Sequence, residues 1–132
     1  MKKIKIHHFL GNTVCETMDD VLKTLEQSVD GVNEFYIAED HTMFPYIVVL
    51  INGSYAYVTC VPDGEAAGLQ AFSDDAEMDL DPDGISVFYI NTPSEEMEIY
   101  NDYVIPKCLA VQIVKEFVET GKMATCVEWE QL

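Results

Sequence analysis

Tyr46-Ile-Val-Val-Leu-Ile-Asn52-Gly53-Ser54-Tyr-Ala-Tyr-Val-Thr-Cys-Val61 is the stretch that decides the fold. An apolar run, Tyr46 to Ile51, stops at Asn52-Gly53, the dipeptide that best tolerates positive φ at both central positions of a two-residue turn, and a second strand-forming run begins at Ser54. The spacing predicts a β-hairpin. Its first arm is apolar on both faces, as a strand in mid-sheet must be. Its second arm alternates Tyr55, Tyr57 and Thr59 with Ala56, Val58 and Cys60, and Pro62-Asp63-Gly64 ends it.

Downstream, Pro106 to Glu130 reads as one amphipathic helix and a short closing strand. Leu109, Ala110, Ile113, Val114 and Phe117 fill one apolar arc, and Gln112, Lys115, Glu116 and Glu119 fall opposite. Pro106 suits the first helical turn, and Gly121 suits a left-handed C-terminal cap. Fifteen residues at the usual rise make a rod of roughly 22 Å, enough to cross a small sheet. In Cys126-Val127-Glu128-Trp129-Glu130, Val127 and Trp129 face away from Glu128 and Glu130.

Upstream, Lys3 to Phe9 alternates as a strand does. Thr17 can cap a helix whose first turn carries Asp19 and Asp20, whose buried stripe is Met18, Val21, Leu22, Leu25 and Val29, and whose end is marked by Gly31. Further strands are predicted at Phe35 to Ala38, Leu69 to Phe72, Ile85 to Ile90 and Glu96 to Tyr100, the last two joined by a turn at Asn91-Thr92-Pro93-Ser94. Strands in sequence with short turns predict an α+β domain spanning residues 1–132. Its antiparallel sheet has about five to seven strands, with two helices packed on one face.

The ordered series of these segments resembles the immunity protein 1 family, the DddI-like proteins of bacterial polymorphic toxin systems. The residues that carry the resemblance are Val49 to Val58, then Gly64-Glu65 through Gly68-Leu69-Gln70-Ala71-Phe72, then a helix ending Glu-Thr-Gly-Lys122 followed by Cys126-Val-Glu-Trp-Glu130. Together they cover about the last two-thirds of the chain, and residues 1–44 add little. The resemblance implies a small intracellular protein without catalytic activity that binds and neutralises a cognate toxin, often a nucleic-acid deaminase.

Composition speaks to partners. Of 132 residues, 48% are hydrophobic, ordinary for one core. The longest apolar run is far too short to span a bilayer, and the opening Met-Lys-Lys-Ile-Lys-Ile lacks the apolar segment of a signal peptide, so a cytoplasmic location is expected. Seven lysines, no arginine and 24 acids give a net charge of −17. No Lys or Arg lies between Lys23 and Lys107. Such a chain is repelled by nucleic acid and anionic membrane, and it attracts basic partners over about a Debye length, ~8 Å at physiological salt. Solubility alone is the plainer account of that acidity. The four cysteines, Cys15, Cys60, Cys108 and Cys126, show no Cys-x-x-Cys spacing and read as reduced, buried, small hydrophobes.

No motif for catalysis or a cofactor stands out. Asp79-x-Asp81-x-Asp83-Gly84 matches the front of a calcium loop, but Ile90 occupies the place of the bidentate Glu and Pro82 interrupts. Together with Asp74, Asp75 and Glu77 the segment reads as a solvated, mobile loop. His7 and His8 are adjacent on a strand and point to opposite faces, and neither they nor His41 have zinc-like spacing, so no metal site is expected. Carboxylate pairs such as Glu95-Glu96 or Glu128 and Glu130 are inevitable in so acidic a chain. Trp129 reads as core. Tyr100 and Tyr103, beside Asn101 and Asp102, sit in a polar connection where an aromatic can either contact a partner or anchor the loop.

Three functions compete: an immunity protein that covers the basic cleft of a toxin, a carboxylate enzyme, and an acidic regulatory or scaffold domain. The first is favoured by the resemblance. Its expected contact residues are Glu95, Glu96, Glu98, Tyr100, Asp102 and Tyr103, and its partner is a toxin domain with a basic cleft, such as a nucleic-acid deaminase.

Overall fold

Strands β1 (Ile4–His8), β2 (Gly11–Cys15), β3 (Val32–Glu39), β4 (Tyr46–Asn52), β5 (Tyr55–Val61), β6 (Leu69–Phe72), β7 (Ile85–Tyr89), β8 (Glu96–Tyr100), β9 (Ile105–Pro106) and β10 (Glu128–Gln131) and helices α1 (Met18–Leu25) and α2 (Lys107–Thr120) make up the chain. The structure, a computed structural model, describes residues 1–74 and 78–132. Eight strands form one sheet in the order β10-β6-β5-β4-β3-β1-β2, with β9 pairing β5, and every pairing is antiparallel. The fold is α+β. The sheet exceeds the expected five to seven strands because β2 and β9 were not read from the sequence. In β2, Asn12, Thr13 and Val14 lie along an open edge with little burial to pattern them, and β9 has only two residues.

The β4–β5 hairpin turns one residue later than the sequence predicts. Asn52 pairs with Tyr55, so the loop is Gly53-Ser54, and Gly53 alone has positive φ, at 60°. A turn with glycine first needs only that one left-handed residue. Asn52 therefore stays in the ladder, and its side-chain amide donates to the Val87 carbonyl at 2.9 Å. Ile51 now faces Ala56 instead of Ser54, a shift of two positions that leaves each side chain on its expected face.

Gly31 does not end α1. Thr17 caps it as expected, accepting the Asp20 N–H at 3.1 Å, but the helix stops at Leu25. Val29 lies outside it and bridges Val32 across Asp30-Gly31, both with positive φ (52° and 83°). Two consecutive left-handed residues form the hairpin turn that Asp-Gly favours, so the dipeptide opens β3 instead of closing the helix. Helix α2 matches its reading closely. Pro106 is its N-cap, and Gly121 (φ 70°) donates to the Phe117 carbonyl at 2.8 Å.

Both helices cover one face of the sheet. Val21 and Leu25 from α1 and Ala110, Ile113, Val114 and Phe117 from α2 pack with Ile6, Phe35, Ile37, Ile47, Val49, Ile51, Ala56 and Val58. Each large side chain so buried stabilises by about 1.5–3 kcal/mol. Val127 joins this core, while Trp129 is half-buried and donates its indole N–H to the Ala124 carbonyl at 2.9 Å.

The opposite face carries the main departure from expectation. β7 and β8 do not extend the sheet but pair only with each other. Their hairpin lies over the second face of β4 and β5, where Phe88, Ile99 and Val104 bury Leu50 and Tyr57. A central strand that is apolar on both faces requires such a cover. Tyr57 donates its hydroxyl to Gln70 Oε1 at 2.8 Å, and burial pushes its phenol up to about 12.

Candidate functional site

Alternation along the β7–β8 hairpin sorts its residues into two sets. The register opposes Ser86 to Ile99 and Phe88 to Met97 on the inner face, where Phe88 is fully buried. It opposes Ile85 to Tyr100, Val87 to Glu98 and Tyr89 to Glu96 on the outer face. Glu96, Glu98 and Tyr100 therefore share one exposed surface with Ile85 and Val87, and Tyr100 is 70% exposed. The aliphatic half of that surface was missed in the sequence, because Ile85-Ser-Val-Phe-Tyr-Ile90 is apolar at most positions and does not declare which of them face out.

The other three expected contact residues are placed differently. Glu95 sits in the turn, where its Oε2 accepts from the Asn91 side-chain amide at 2.7 Å. Asp102 is exposed in a single 3-10 turn, Asn101–Tyr103, just after β8. Tyr103 leaves this surface. It is half-buried, its hydroxyl donates to Glu130 Oε2, and its ring meets Phe72 edge-on at 6.4 Å. The bond to Glu130, with burial and that carboxylate's charge adding to it, raises the phenol's pKa. Tyr103 thus ties the connection after β8 to β10, the anchoring role that competed with partner contact.

Like most acids of this chain, those of the hairpin have no lysine partner, since only four lysines pair with carboxylates among the described residues. Lys2, Lys3, Lys23 and Lys107 pair with Glu39, Glu16, Asp19 and Glu26. Among the described residues, no lysine pairs with Glu95, Glu96, Glu98 or Asp102. Their charge is left to the solvent or to a partner.

Much of the neighbouring acidic segment is held in place. Asp81 Oδ1 accepts from the Asp83 N–H and the Asp81 carbonyl from the Asn101 side chain, while Met78 and Leu80 pack on the second core. This part of the 74–84 segment forms a turn that touches Asn101 and the second core. Asp75 and Glu77 lie outside the described residues. Among the described residues no three His, Cys, Asp or Glu side chains converge as metal ligands do. His8 is buried against Phe35 and His7 is exposed on the other face, as adjacent strand positions require. Cys15 and Cys60 are buried and free, but Cys108 and Cys126 are exposed, which corrects the reading of all four as core. Cys108 lies in the first turn of α2 and Cys126 in the bend before β10, where the apolar pattern carries little burial.

A second feature was not anticipated. Glu34 lies in β3 among apolar neighbours and is only 6% exposed. Burial raises the pKa of its carboxyl, and the N–H of Asn91, which donates to Oε1 at 3.0 Å, opposes that rise. The sequence reading began this strand at Phe35, three residues after its start at Val32, and so left Glu34 outside it.

The structure thus sets an acidic, aromatic hairpin on one face of the sheet. Over residues 13–131 the chain matches the family model for Immunity protein Imm1, and it belongs to that family. It is therefore an immunity protein, and its partner is a cognate toxin. No curated protein matches the chain. Among the described residues no helix is long and apolar enough to cross a membrane.

Proposed function

We propose that this immunity protein neutralises its toxin, without catalysis of its own, by seating the outer face of the β7–β8 hairpin in the basic cleft where the toxin holds nucleic acid, and that the toxin is a nucleic-acid deaminase. The observation that carries the reading is the hairpin's outer surface, where Glu96 and Glu98, without lysine partners, lead along one strand to the exposed ring of Tyr100. A cleft built for phosphates presents Lys and Arg, and those groups steer carboxylates as they steer phosphates. Glu95 and Asp102 extend the acidic rim at either end. Tyr100 supplies the large, rigid contact that dominates affinity once water is excluded, and Tyr103 holds the adjoining turn in place.

The test is to purify the toxin domain encoded beside this protein and measure association and dissociation at low and high salt, with and without Glu95, Glu96 and Glu98 all changed to Gln. The reading expects slower association in the variant and in high salt, by about tenfold or more. Tyr100→Ala should mainly speed dissociation. Association rates unchanged in both comparisons would remove the electrostatic mechanism. A toxin whose activity on single-stranded DNA or RNA persists at stoichiometric immunity protein would remove the occlusion reading.

A further inference from the structure

Beside the hairpin turn lies a hollow of about 500 Å³ whose lining includes His7, His8, Phe9, Glu34, Tyr36 and Asn91. It forms because β1 pairs with β3 only as far as His7 opposite Tyr36, after which the chain turns away at Phe9 and Leu10 into β2. Glu34, the next position of β3 on that face, is left without a neighbour on one side. From above, Asn91 in the β7–β8 turn reaches over with φ 64° and binds one carboxylate oxygen, Oε1, through its backbone N–H. The second oxygen has no hydrogen-bond partner, yet no fully buried side-chain oxygen or nitrogen among the described residues goes without one. That oxygen therefore keeps some exposure, and Glu34 lines the hollow.

A nine-tenths-buried carboxylate costs stability unless a cation answers it. Inside the fold the only positive charge that reaches Glu34 is that of His7 when protonated, which lowers the carboxyl's pKa; no lysine pairs with Glu34 among the described residues, and the chain has no arginine. Two further groups suit a cation. Tyr36 presents a 39%-exposed ring in the wall, and Glu95, held by the Asn91 side chain, brings a second carboxylate close enough to raise Glu34's pKa. A planar, weakly hydrated, two-pronged guanidinium can meet a carboxylate and an aromatic face together, which a compact ammonium does less well.

We propose that this hollow receives an arginine side chain of the bound toxin, its guanidinium held between the free oxygen of Glu34 and the ring of Tyr36. The proposal rests on the immunity reading for the source of the arginine. It places a buried anchor directly beside the charged rim that Glu95 begins, the arrangement in which a few desolvated contacts hold a complex and the surrounding charges guide it in.

The experiment has two arms. In the first, isotopically labelled protein without toxin is titrated with N-acetyl-arginine amide, its neutral counterpart N-acetyl-citrulline amide, and N-acetyl-lysine amide. The expected result is saturable shifts at the Asn91 amide and the Tyr36 ring with the arginine compound, weaker ones with lysine, none with citrulline, and none in Glu34→Gln. Glu34→Gln keeps an acceptor for the Asn91 N–H and removes only the charge, so the variant should fold and melt at or above the wild-type temperature. Equal shifts in wild type and Glu34→Gln, or equal responses to arginine and citrulline, would overturn the proposal. In the second arm, Glu34→Gln should weaken toxin binding by at least about tenfold, mostly through dissociation. Unchanged affinity in Glu34→Gln, alongside weakened binding when Glu95, Glu96 and Glu98 are neutralised, would sink the arginine hollow and leave the hairpin reading standing. Wild-type protein that fails to bind toxin would sink the hairpin reading while the first arm still decides the hollow.

Discussion

The two faces of the central sheet are built on different scales. Among the described residues, twenty-one buried ones form the core under α1 and α2, whereas five form the core under the β7–β8 hairpin. The larger core runs the width of the sheet. The smaller one covers part of it and leaves Glu34, Tyr36 and the hollow beside them at its border. The difference separates two jobs: the helix face supplies most of the stability, and the hairpin face presents the charged surface while sealing just enough of β4 and β5 to stay docked.

That division can be broken in stages. Phe117→Ala, in the larger core, should cost about 3–5 kcal/mol in urea denaturation. A loss below about 1 kcal/mol, the range of ordinary surface changes, would mean α2 is not part of that core. Phe88→Ala should cost less, about 3 kcal/mol, because the partly exposed residues around it can collapse toward the gap. In that variant, hydrogen exchange at β7 and β8 amides should speed up while β3, β4 and β5 stay protected. If all five strands exchange together, the two faces form one cooperative unit.

Acid provides a smaller probe of the helix side. His8 has its pKa lowered from 6.5 by burial, with the charge of His7 as a second cause. The unfolded chain therefore binds the extra proton more readily than the folded one, so folding loses stability as pH falls through about 6.5 and below. Glu34, raised from 4.5, works in the opposite sense, since its folded form takes up a proton first as pH drops. The stability difference between wild type and His8→Asn, followed from pH 8 to pH 5, should isolate the histidine and shrink as pH falls. A difference independent of pH would mean that His8 does not titrate differently on folding. The smallest effect belongs to the outer surface: changing Glu95, Glu96 and Glu98 to Gln should alter stability by less than about 0.5 kcal/mol. A larger loss would make those acids part of the scaffold.

What could be read from the sequence follows the same division. Helix α2, its glycine cap, the β4–β5 arms and the α+β class were legible because periodicity and turn chemistry record burial on the helix face. The doubly apolar β4 even announced that something covers its second face. It did not say what, because β7 and β8 alternate as any antiparallel pair would, whether they extend a sheet or lie across one. Asp30-Gly31 was misread because a glycine after an amphipathic stretch serves a helix end and a hairpin turn equally. The acids of the hairpin were visible as charge, but their grouping with Ile85 and Val87 depends on register. Glu34 was invisible as a site because its setting arises where β1 turns away, far from it in sequence.

One detail of the sheet bears on how the chain reaches this state. The outer edge of β5 is shared: Tyr55 and Ala56 pair with β9, and Thr59 and Cys60 pair with β6. The β4–β5 hairpin is local and can close within about 1–10 μs, whereas β9 must return from beyond the whole acidic segment and β10 must find β6 from farther still. In that interval the β5 edge is an open template for another nascent chain. Pro106 in β9 has no N–H to give, and β10 is four residues long, so the strands that arrive last are themselves poor templates. Docking of β6 and β9 closes that edge of β5 and leaves β2 and β10 as the edges of the sheet.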